Sequence, residues 1–160
     1  MLLVLVFLCI ACPYESPVPI SDPTVEIDKR MIGKWKKDMN GKDFYKIEKE
    51  DKLTYKIEEN TYNSSDEKFE KHYYHAYISK VNEVDFLNVK GAKNEKSMMS
   101  SDNYYLYKLQ FIDDNSFRLY PVSDYITEKF SSSADLAAFV AKYMNLSFFY
   151  SKSEDCGRVY

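Results

Sequence analysis

Between Met31 and Tyr160 apolar residues recur with a period of two, the spacing of strands that have one covered and one wet face. Leu53, Tyr55 and Ile57 point one way while Thr54, Lys56 and Glu58 point the other. Asp43 to Glu50 precedes them as a strand with Ile47 inside, and Glu50-Asp51-Lys52 is the polar turn between the two. Asn60 to Lys68, with Asn63-Ser64-Ser65-Asp66, reads as a loop. Phe69 to Val81 is a long strand: Phe69, Tyr73, His75, Tyr77 and Val81 share one face, and His72, Tyr74, Ala76 and Ile78 share the other. Asn82-Glu83 turns the chain into Val84 to Val89. Gly91 to Asn103 is the longest polar connection, and with Met98-Met99 it is the expected rim or lid of any cavity. Tyr104 to Ile112 and Phe117 to Val122 form a hairpin around Asp113-Asp114-Asn115-Ser116.

After Val122 the period changes. Ser123 to Phe130 is expected as a short helix, and a second is better signalled, with Ser132 and Asp135 in capping-box spacing. Leu136, Phe139, Val140 and Tyr143 fall at i, i+3, i+4 and i+7, so one face of that helix must be covered by the sheet. Leu146 to Ser151 then returns as a strand, and Gly157 to Tyr160 pairs last. The pattern predicts a mainly β chain: an antiparallel up-and-down barrel of about eight strands with a C-terminal helix packed outside.

The first strand carries the sole tryptophan, in Met31-Ile32-Gly33-Lys34-Trp35, with Val25 to Met31 expected as a short helical turn beneath it. Gly33 lets the backbone bend and a bulky neighbour come close. The indole of Trp35 buries a large apolar plate and needs one partner for its N–H, a combination suited to closing one end of a barrel.

Composition agrees with strands. Fifteen Tyr, ten Phe and one Trp make 16% of the chain aromatic, a bias toward pleated, half-buried surfaces. The net charge of −3, with acidic and basic residues mixed along the chain, excludes the basic face that nucleic-acid binding needs.

Met1 to Ala11 is an uncharged apolar run, too short for the ~20 helical residues that cross a bilayer core and the right length for a signal peptide. Leu8-Cys9-Ile10-Ala11-Cys12 resembles the bacterial lipobox, and the resemblance implies that Cys12 is lipidated and tied to a membrane. Pro13, Pro17, Pro19 and Pro23 read as an extended, solvated tether. The expected division is a signal peptide at 1–11, a lipidated tether at 12–30 and a barrel domain at 31–160.

Catalytic and metal chemistry finds no carriers. His72 and His75 are three apart, which on a strand sends them to opposite faces. Ser131, Ser132 and Ser133 lack a nucleophile-elbow context. Cys156 has only Arg158 beside it in sequence to stabilise a thiolate. The expectation is a protein without enzymatic activity, cofactor or metal.

With Gly33-Lys34-Trp35 on strand one, some eight strands and a late helix before a closing strand, the chain resembles the lipocalin-like barrels, and more narrowly the small bacterial lipoproteins that carry such a domain. Ala76-Tyr77-Ile78, Phe86-Leu87-Asn88-Val89, Tyr105-Leu106-Tyr107-Lys108-Leu109 and Ala134-Asp135-Leu136 carry the likeness. It implies that Trp35 packs beneath an arginine from late in the barrel; Arg118 and Arg158 are the candidates, with Arg158 favoured because the chain ends beside it. A barrel of this size holds either packed side chains or one small ligand. Tyr55, Tyr73, Tyr77, Tyr105 and Tyr107 would then either line a site for a small apolar or amphipathic molecule, or fill the interior. In the second case the loops at 60–68 and 91–103 would meet a protein partner.

Overall fold

The computed structural model describes residues 13–160; the expected signal peptide and Cys12 lie outside the described residues. Among the described residues nine strands form one sheet: β1 Glu15–Ser16, β2 Gly33–Lys36, β3 Phe44–Lys49, β4 Tyr55–Asn63, β5 Lys68–Val81, β6 Val84–Gly91, β7 Tyr104–Asp113, β8 Ser116–Pro121 and β9 Glu154–Val159. Strands β2 to β9 pair antiparallel with their chain neighbours, and β9 also pairs with β2, so the sheet closes on itself as an eight-stranded barrel. Strand β1 lies outside, paired with β7.

Turn chemistry sets the registers. Asp51 accepts from the backbone N–H groups of Leu53 and Thr54 at 2.7 and 2.9 Å, closing β3 onto β4. Between β5 and β6 only Asn82 and Glu83 intervene, at φ 46° and 64°, the left-handed pair of a tight hairpin turn. The segment expected as a loop at 60–68 is mostly strand, because Asn60 to Asn63 continue β4 opposite Lys71 to Lys68 and only 64–67 form the turn.

Two apolar clusters share the sheet. One lines the barrel interior from Met31, Trp35 and Tyr55 to Leu87, Val89 and Phe117. The other covers the outer face of β5 to β7, where Val81, Phe86 and Leu106 meet Tyr14, Ile20, Leu136, Val140 and Phe149. The helix α1, Ser133–Tyr143, begins on Ser132, whose hydroxyl accepts from the Asp135 N–H, and buries Leu136 and Val140. Burying each such side chain contributes roughly 1.5–3 kcal/mol.

Several expectations are corrected here. Residues 13–23, expected as a solvated tether, form a strap on the barrel wall: Tyr14, Ser16 and Ile20 are buried. Its polar backbone is satisfied by the wall itself. The Ile20 N–H donates to Asn88 Oδ1 at 2.9 Å, and the Tyr77 hydroxyl donates to the Ser21 carbonyl at 2.8 Å. Ser123 to Phe130 is not helical, since it packs as a bent connection with one turn bond from Ile126 to Ser123. Leu146 to Ser151 is not a strand of the sheet: it holds a single 3₁₀ turn at Ser147–Phe149, Tyr150 bridges Val122, and the Ser151 N–H donates to the Pro121 carbonyl at 2.9 Å. The closing strand is Glu154–Val159. Of the expected helical turn at 25–31 only Lys29–Met31 forms, capped by Asp28.

Candidate functional site

The barrel has a sealed end and an end that carries polar side chains. At the sealed end the indole N–H of Trp35 donates to the Met31 carbonyl at 2.8 Å, and its ring meets Phe117 edge-on at 4.6 Å. Arg158 lies over the other side, its Cζ 4.3 Å from the ring centroid. The guanidinium also donates to the carbonyls of Ile32 at 2.8 Å and Arg30 at 2.6 Å. Gly33, at φ 143°, permits this, because a Cβ there would collide with the Arg158 guanidinium. Arg118, the other candidate, instead pairs with Asp155 on the barrel exterior.

Above Trp35 lies a cavity of about 330 Å³. Its floor and walls are Met31, Trp35, Ile47, Ile57, Leu87, Val89 and Phe117; toward the other end it is lined by Lys37, Tyr45, Glu59, Tyr74, Met98, Tyr107, Glu154 and Cys156. The loop after β6 folds over this end. The Gly91 N–H donates to the Ser100 carbonyl at 2.9 Å and the Tyr73 N–H to the Lys96 carbonyl at 2.8 Å, and Met98 remains 76% exposed while touching the cavity.

Of the five tyrosines expected to line a site, Tyr107 alone does so. Tyr55 points inward but is fully buried at the sealed end, its hydroxyl accepting from the Asp28 N–H at 2.6 Å. Tyr105 points inward, opposite Val89, and accepts from the Ser100 N–H beneath the loop. Tyr73 and Tyr77 are on the outer face, a correction imposed by register. Tyr55 and Ile57 are inside, and their partners across the ladder are Ala76 and Tyr74, so the odd-numbered residues of β5 must face out.

The site residues missed in the sequence are Tyr45, Glu59, Tyr74, Lys37 and Glu154. Glu59 is the next inward position after Tyr55 and Ile57, so the alternation itself carried the signal. Its Oε1 accepts from the Tyr45 hydroxyl at 2.9 Å and its Oε2 from the Tyr74 hydroxyl at 2.5 Å. Burial, reinforced by the Glu59 carboxylate, pushes both phenols well above their ordinary range. Both hydroxyls therefore stay protonated as donors, leaving Glu59 the acceptor. His72 is inside and His75 outside. His72 is buried beside Glu59 with its Nδ1 3.9 Å from Oε2 and without a hydrogen bond, while His75 Nδ1 meets Glu50 at 2.7 Å.

Across the cavity Lys37 Nζ and Glu154 Oε2 stand 2.6 Å apart. Burial opposes the ammonium charge, but the Glu154 carboxylate outweighs it and holds the Lys37 pKa above its usual value. Lys37, not Arg158, is the cation acting on Cys156. Burial nevertheless pushes that thiol up to about 12, so at neutral pH Cys156 is a protonated wall residue and not a nucleophile.

Comparison of the chain with protein-family models, with curated proteins and with solved structures finds no match.

Proposed function

We propose that this protein is a lipid-anchored binding module of a bacterial envelope, resembling the lipocalin-like lipoproteins, that holds a small apolar or amphipathic ligand inside its barrel. The observation that carries the reading is the cavity of about 330 Å³ between Trp35 and the Met98 loop. Close packing there would instead have favoured a solid scaffold with a protein partner on its loops. The volume lies near the lower end of ~300–1,000 Å³ ligand sites, and the mix of apolar walls with a few convergent polar groups is their usual chemistry. The anchoring half of the proposal rests on the lipobox-like sequence ending at Cys12.

Native mass spectrometry of protein purified from its source tests the binding half. A retained small molecule that is lost on denaturation is the expected result; protein at its bare mass, with no shift on exposure to apolar or amphipathic compounds, overturns it. Cys12→Ser tests the anchor. The variant is expected in the soluble fraction and the parent protein in membranes, and identical partitioning of the two overturns the anchor alone.

A further inference from the structure

We infer that the cavity selects an amphipathic cation, a compact apolar body bearing one protonated amine, with Glu59 as its counter-charge; this rests on the binding reading above. The charges facing the cavity are Lys37, Glu154 and Glu59. Lys37 and Glu154 neutralise each other at 2.6 Å. Glu59 is not neutralised in this way: among the described residues no Lys or Arg forms an ion pair with it, and the basic side chain within ion-pair distance is His72, whose Nδ1 stands 3.9 Å from Oε2 without a hydrogen bond. Two tyrosine hydroxyls hold its oxygens in place without cancelling the charge. The Glu59 side chain is 22% exposed, and a ligand that closed the cavity would strip the water that now solvates it.

That desolvation decides the ligand class. A neutral ligand would leave an uncompensated carboxylate in an apolar enclosure, which is costly. An anion would meet two carboxylates and a lysine already engaged. An ammonium group replaces the lost water with a charge-assisted hydrogen bond to the carboxylate. Size follows from volume: at about 30 Å³ per water-sized unit, the cavity's 330 Å³ admits on the order of ten non-hydrogen atoms.

The test compares three probes of matched size, 2-phenylethylamine, 2-phenylethanol and phenylacetate, titrated against the whole protein at neutral pH. Trp35, the sole tryptophan and part of the cavity floor, reports occupancy by its fluorescence. The amine is expected to bind about tenfold or more tighter than the alcohol, as one charge-assisted hydrogen bond implies, and the acid weakest. Glu59→Gln is expected to abolish the amine's advantage, and an unchanged Trp35 emission spectrum verifies its fold. Equal or tighter binding of the alcohol or the acid overturns the inference while leaving the binding module intact. Persistence of the amine's advantage in folded Glu59→Gln removes the role of Glu59. If none of the three binds at millimolar concentration the inference also falls, and a retained molecule in native mass spectrometry then decides the broader reading separately.

Discussion

Arg158 and Trp35 are cross-strand partners on β9 and β2, and the guanidinium carbon stands 4.3 Å from the indole centroid. The contact joins the last barrel strand to the first barrel strand, so the group that seals the barrel's end also closes its circumference. The same guanidinium reaches the carbonyls of Arg30 and Ile32, fastening the 3₁₀ turn beneath Trp35.

Arg158→Ala is expected to destabilise the fold by about 2–3 kcal/mol, since a partly desolvated cation-π contact and two charge-assisted hydrogen bonds are lost together. Arg158→Lys is expected to recover only part of this, because an ammonium lacks the planar fork that spans two carbonyls. Urea unfolding followed by Trp35 fluorescence measures both, and a change below about 0.5 kcal/mol for the alanine variant would show the contact to be ornamental.

The strap makes its own prediction through Asn88, which is buried, accepts from the Ile20 N–H and donates to Ser79 Oγ at 2.8 Å. Asn88→Ala leaves a backbone donor without a partner and is expected to cost about 1–3 kcal/mol. Hydrogen exchange should show the loss first at residues 16–21, ahead of the barrel strands. Uniform loss across the sheet would mean that strap and barrel open as one unit.

Alkaline stability follows from Cys156. Its folded pKa is raised to about 12 from an ordinary value of 9.0, so native protein keeps the proton where unfolded chain has released it. The contribution is whole below about pH 9 and drains away as pH rises toward 12, because the unfolded state then binds fewer protons than the native state. The urea midpoint should fall over that window, and fall less in Cys156→Ala. In a Cys9→Ser/Cys12→Ser background the native protein should resist thiol reagents at pH 8 and react once unfolded; rapid reaction of the native form would contradict the buried, protonated thiol.

Filling the cavity separates fold from binding. Val89 is buried and lines it, and Val89→Phe occupies space that the ligand would take. Retained small molecule should disappear from the mass spectrum while the melting temperature stays within a few degrees of the parent, as occurs when added volume enters a void and not a packed core. Undiminished retention would place the ligand elsewhere.

The barrel was legible because period-two alternation survives along β3, β4 and β7, and because Ser132 and Asp135 mark the helix start in four residues. What alternation cannot supply is which face is the inside when both are covered. Strand β5 has apolar residues on both faces since the strap buries Tyr77 from without as the barrel buries Tyr74 and Ala76 from within. The ladder to β4 would have settled the matter, as partners directly across an antiparallel pair share a face. Glu59 is hard to place from sequence for another reason. A carboxylate beside Glu58 looks solvated in one dimension, yet it occupies the inward slot that Tyr55 and Ile57 establish. The packing of the strap is not legible, because its prolines signal extended backbone and say nothing about what that backbone lies against.

Because Tyr14 is already seated in the barrel wall, with its N–H bonded to the Val122 carbonyl, an acyl group on Cys12 would be coupled to the domain through Pro13 alone. So short a coupling would keep the flank that carries Tyr14 close to whatever surface held that acyl group.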